Sequence, residues 1–130
     1  MNDENIGQLL QTLHLLPQQD ITASGNGGGI DIRDYVGELA VVLTAKNVAG
    51  TTPTLDVKLQ DSDDDSTYAD VSGAVFTQVT DAGTLAATVE KIAVRADTLK
   101  RYIRAVKTIG GTSSPQFIAG CVALGVKQVR

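Results

Sequence analysis

Alternation with a period of two constrains this chain more than any other feature. From residue 54 to 60, Leu55, Val57 and Leu59 alternate with Asp56, Lys58 and Gln60. Successive side chains of an extended backbone point to opposite sides, so the pattern makes one apolar and one polar strand face. Residues 38–48 repeat it, with Leu39, Val41, Leu43 and Ala45 on one face, and residues 89–95 set Ile92 and Val94 against Lys91 and Arg95. Residues 101–106 and 117–126 read as further strands, and residues 30–32 and 76–79 as shorter ones. Turn chemistry falls between them, at 49–53, 61–66, 81–83 and 109–112. Strands at this spacing predict an all-β body over residues 30–130, a β-sandwich of jelly-roll or immunoglobulin-like type. Residues 84–99 also hold helix formers (Ala86, Ala87, Glu90, Lys91, Ala93), but Thr88, Val89, Ile92 and Val94 favour a strand there.

Residues 1–29 read differently. Ile6, Leu9, Leu10, Leu13 and Leu16 follow helical spacing, which predicts a short amphipathic helix ended by Pro17. A glycine cluster at 25–29 then reads as a joint. The expectation is an arm, residues 1–29, hinged to the body. Its apolar stripe of Ile6, Leu9, Leu10, Leu13 and Leu16 must be covered by the body or by a neighbouring protein and is read as a protein-interaction arm.

The chain has 130 residues, enough for one domain with its own core. Its net charge of -4 argues against nucleic acid as a partner, since phosphate binding needs clustered Lys and Arg. No apolar run approaches the length of a membrane-spanning helix. The acidic, polar residues 1–5 are unlike a secretory signal, so synthesis and folding in a cytoplasm are expected. The lone cysteine, Cys121, permits no internal disulfide and reads as a buried small hydrophobe.

Chemistry-bearing patterns are few. Asp61, Asp63 and Asp65 carry alternate oxygens like the start of a calcium loop, but the sixth position is Ser66 rather than Gly and the twelfth Ser72 rather than Glu. A hairpin tip capped by Asp side chains is the favoured reading, with the three carboxylates a weak cation candidate. His14 is the only histidine and has no recognisable nucleophile beside it. One His and one Cys cannot build a zinc site, and no helix pattern follows the glycine cluster, as a phosphate loop requires. No cofactor is expected, and the chain reads as a binding protein rather than an enzyme.

The body resembles small virion proteins of tailed bacteriophages and prophages. The resemblance is carried by residues 30–37 (IDIRDYVG), 53–64 (PTLDVKLQDSDD), 73–79 (GAVFTQV) and 100–105 (KRYIRA). Proteins of this kind are often capsid cement or decoration proteins. The resemblance implies a structural virion protein on the outer capsid surface, partnered by the major capsid protein and by itself as a homodimer or homotrimer. A tail, head–tail connector or fibre-base component is the alternative within that class. A carbohydrate-binding host-attachment module is the alternative outside it; with no Trp and three Tyr, the sequence offers little to stack on sugars.

Overall fold

The computed structural model describes residues 10–80 and 87–127. Among the described residues, eight strands follow one another: β1 (Leu10–Ile21), β2 (Gly25–Asn26), β3 (Ile30–Asp31), β4 (Tyr35–Ser62), β5 (Ala69–Val75), β6 (Val79–Thr80), β7 (Thr88–Arg95) and β8 (Tyr102–Lys127). A 3-10 turn, Ala96–Thr98, sits between β7 and β8. All the pairings are antiparallel. The all-β expectation is the fold observed.

Two strands organise the molecule. β4 has 28 residues and β8 has 26, and they pair from Tyr35 opposite Lys127 to Ser62 opposite Tyr102. Strands of this length do not stay flat. The β4–β8 register shifts three times between Asn47 and Thr54, and positive φ clusters at Gly50, Thr52, Gly111, Ser113 and Ser114. Bulges and left-handed residues of this kind bend a strand and carry it from one layer to the next. The segments 49–53 and 109–112, expected as turns between separate strands, are therefore corners within continuous ones.

Each long strand thus serves two layers. β7, the first half of β4, the second half of β8, and β1 lie side by side in the first. The second holds the other halves of β4 and β8, with β5 and β6 beside β4 and β2 and β3 beside β8. Leu39, Val41, Leu43, Phe117, Ala119 and Cys121 from the first layer share one buried cluster with Leu55, Val57, Leu59, Ile103 and Ala105 from the second. The alternation in the sequence named the inward face of β4 correctly.

The helix expected at the N-terminal end is corrected over its described part: Leu10–Ile21 is strand β1, paired with β8. Its register shifts between His14 and Leu16 and between Leu16 and Gln19. Those irregularities put Leu15, Leu16 and Ile21 all in the core, so the leucine spacing mimics a helical stripe without being one. Pro17 has no N–H for a ladder, which suits a strand at a sheet edge. Ile6 and Leu9 lie outside the described residues. Gly25 and Asn26 pair with Lys107 and Val106, and Gly27 donates its N–H to the Ala105 carbonyl at 2.7 Å. A Cβ on Gly27 would stand 2.2 Å from the Leu15 carbonyl oxygen, so only glycine fits this close approach.

Candidate functional site

The two outward faces of the sandwich differ in kind. On the second layer a polar chain runs across the strands. Lys58 and Gln60, neighbours on one face of β4, both donate to Asp70, at 2.9 and 2.8 Å. Arg104 of β8 donates twice to the Gln60 side-chain oxygen, at 2.9 and 2.7 Å, and its guanidinium lies 4.0 Å from the centre of the Tyr68 ring. The Tyr68 hydroxyl donates to Asp65. Burial, followed by that carboxylate, pushes the Tyr68 hydroxyl up to about 12, so it stays protonated and continues to donate. Asp70 is held below its usual carboxylate value by Gln60 and then Lys58.

The acidic hairpin is the tip of this network. Asp64 accepts from the Ser62 hydroxyl and from the Ser66 and Thr67 N–H groups, at 2.8, 3.0 and 2.9 Å. These bonds, the Thr67 N–H foremost, hold its carboxyl below the usual range. Asp64 closes the turn in the manner expected of Asp. The three cation candidates each bind a different group of the protein, two of them on Lys100. Asp61 is nearly buried and accepts the Lys100 N–H at 3.1 Å. Asp63 lies 3.9 Å from the Lys100 ammonium, and Asp65 takes the Tyr68 hydroxyl. Among the described residues, no three His, Cys, Asp or Glu side chains are grouped to hold a metal ion.

The outward face of the first layer is apolar at its centre. Because Leu39, Val41 and Leu43 point inward, Ala40, Val42 and Thr44 point outward, and the register sets Leu124, Val122 and Gly120 of β8 opposite them. Val36, Val89 and Ile118 stand exposed around these residues. A groove of about 280 Å³ crosses the face, lined by His14, Leu16, Gln18, Val42, Thr44, Gly120 and Val122. Gln18 bridges it by accepting from the Thr44 hydroxyl at 3.3 Å. A Cβ on Gly120 would meet the Gln18 side-chain oxygen at 2.6 Å, so glycine there lets Gln18 lie flat across β8.

The other residues singled out in the sequence fall apart from one another. His14 lines the groove on the exposed edge of β1, with neither Cys nor Ser among the other lining residues. Cys121 is fully buried in the core, and burial pushes its thiol up to about 12, far from the thiolate that reactivity needs. Of the expected contact stripe, Leu16 is buried in the core, while Leu10 and Leu13 are half-buried. Sequence reading missed the apolar outward face. Its signal was the unbroken apolar run at 117–124, which leaves neither face of that strand polar.

No family model and no curated protein matches the chain. Solved structures do, at the level of fold. A chain of the T13 viral particle of infectious bursal disease virus matches over 91% of this chain and 31% of its own, with 14% identity and a TM-score of 0.57. The Gx strain of the same virus gives 15% identity and a TM-score of 0.52, over 91% of this chain and 32% of that one. The VP2 subviral particle gives 11% and 0.52 over the same shares. This protein therefore has an all-β fold of the kind found in a viral capsid protein, and it spans about a third of the length of the chains it matches.

Proposed function

We propose that this chain is a structural virion protein of a bacteriophage, made in the host cytoplasm and seated on the outer capsid surface as a cement or decoration protein. The observation that carries the reading is the fold: nine-tenths of the chain follows a domain of a protein that builds a viral particle. The short motifs at residues 30–37, 53–64, 73–79 and 100–105, which resemble tailed-phage virion proteins, point the same way. The surface that meets the shell is the apolar outward face of the first layer, centred on Val42, Val122 and Leu124. A contiguous apolar surface ringed by polar groups is the usual mark of a protein contact. The major capsid protein is the partner, and self-association places several copies on the lattice. Many weak contacts then add up through avidity to a firm grip, without a reaction centre.

Capsids assembled with and without the protein test this. Capsids carrying it withstand higher temperature, and Val122→Asp and Leu124→Asp, which put carboxylates on the contact face, abolish binding in pelleting assays. No binding of the native chain to the shell would sink the reading.

A further inference from the structure

Antiparallel sheets that end in open strands invite another chain to add on, and proteins usually disarm such edges with proline, bulges, short strands or charged side chains. The edge strands here are disarmed unequally. β1 is broken by Pro17 and by two register shifts. β5 is irregular against β4, and its Gly73 sits at φ +80°. β7 has neither a proline nor a break; its only such device is charge, Lys91 and Arg95 on the outward face, which restricts the registers open to a partner without closing the edge. Its eight residues pair with β4 without a break, from Glu38 opposite Arg95 to Ala45 opposite Thr88, and it contains no Pro or Gly. Among the described residues, β7 pairs with β4 alone. Its burial alternates strictly, so Thr88, Glu90, Ile92 and Val94 face inward while Val89, Lys91, Ala93 and Arg95 face outward, Val89 being 69% exposed.

We propose that two copies of this chain join edge to edge through β7, antiparallel across a two-fold axis at Ile92. The register follows from charge and pleat. Residues directly opposite in an antiparallel pair lie on the same sheet face, so a symmetric pairing centres on one residue, and a slip by one would set inward residues against outward ones. Centring on Lys91 sets two lysines face to face, centring on Glu90 does the same for two carboxylates, and centring on Ala93 sets Lys91 against Arg95. Like charges directly opposite destabilise a pair. Centring on Ile92 avoids all three conflicts: Ile92 meets itself, Lys91 meets Ala93, Glu90 meets Val94 and Val89 meets Arg95. Two of the three charged groups at the seam are already engaged: Glu90 accepts from the Thr77 N–H and hydroxyl at 2.9 and 3.2 Å, and Arg95 pairs with Asp97 at 3.1 Å. Centring on Val89 or Val94 also avoids like charges but pairs only the end of β7, whereas Ile92 pairs residues 89–95. The second copy therefore fits best in the Ile92 register, self-complementary as a two-fold contact demands. The joined first layers form one eight-stranded sheet with a doubled apolar outward face.

Sedimentation equilibrium on the full chain tests the proposal, which is independent of the virion reading: a dimer that ignores capsids leaves it standing. The native protein is a dimer. Ala93→Lys, at an exposed position, sets a lysine opposite Lys91 of the second copy at two symmetric places and weakens the dimer about tenfold or more. Ala93→Glu sets a carboxylate there and tightens it several-fold. Ile92→Cys gives a disulfide-linked dimer on oxidation, since residues directly opposite in such a pair stand about 4.5–5.5 Å apart at Cα; Val94→Cys, opposite Glu90, gives none. A monomer at every concentration, or a dimer unmoved by both Ala93 changes, overturns the proposal. If Ile92→Cys does not fold by circular dichroism, the two Ala93 variants decide alone.

Discussion

Phe117 is the largest of the fully buried side chains, and Cys121, two pleats along the same strand, faces the same core. Truncating Phe117 to Ala removes apolar contact and leaves a cavity that a bent sheet can close only in part. The expected loss is about 3–5 kcal/mol of unfolding free energy, read from urea midpoints. The Cys121 thiol, buried and held protonated, should react with a thiol reagent only in denaturant. Reaction in the native state at the rate of a free thiol would contradict the burial. Acid acts elsewhere. Asp31 is held below the usual carboxylate range chiefly by Arg101, and Asp64 and Asp70 by the partners described above. A carboxylate with a depressed folded value stabilises the fold at pH above its unfolded value and loses that contribution as pH falls through the folded one. The thermal midpoint should therefore be flat near neutrality and fall below about pH 4. Asp64→Asn removes part of this acid dependence, and amide exchange at Ser66 and Thr67 quickens while the core amides stay protected.

Strands respond to different rules from single side chains, and the corners of β4 and β8 show which. Gly50 holds φ +113°, and a Cβ there would lie 2.7 Å from the Pro115 Cα on the facing strand; Gly37 holds φ +75° with open space around it. Both positions strain an alanine, but Gly50→Ala also forces two backbones apart. Gly50→Ala should cost about 2–3 kcal/mol and Gly37→Ala about 1, compared by chemical denaturation. Equal costs would mean that the corner is soft. These corners also mark where the sequence was and was not legible. Leu39 to Ala45 and Leu55 to Leu59 announced their inward face because burial on one side and solvent on the other leave a period of two. The residues between them, with Gly50 and Pro53, use the same chemistry for a bend within a strand as for a turn between strands, so one β4 read as two strands. β1 was misread for a related reason, since its irregularities destroy the period that identifies a strand. β5 was missed because Asp70, Ser72 and Gly73 leave too few apolar positions to show a pattern.

At the scale of the whole molecule, the question is whether residues 1–29 are an appendage or part of the fold. The sequence suggests an appendage, from Pro17 and the glycine cluster. The geometry of the described part sets three large apolar side chains, Leu15, Leu16 and Ile21, in the same core as Leu43 and Phe117. Full burial of such a residue contributes about 1.5–3 kcal/mol, so the three together reach about 5–9 kcal/mol. That rivals the entire net stability of a small domain, about 5–15 kcal/mol. Deletion also bares the second half of β8 as a new edge, with the inward-facing Ala119, Cys121 and Ala123 exposed to water beside it. A chain beginning at residue 30 should therefore lack a cooperative thermal transition and expose apolar surface to a hydrophobic dye. A truncated chain that melts cooperatively near the native midpoint, yet no longer binds capsids, would instead show residues 1–29 to be a binding arm and the glycine cluster its joint. Stopping the deletion at residue 9 separates the two outcomes. It leaves β1 whole, so the fold should persist, and any loss of binding then belongs to Ile6, Leu9 and their neighbours.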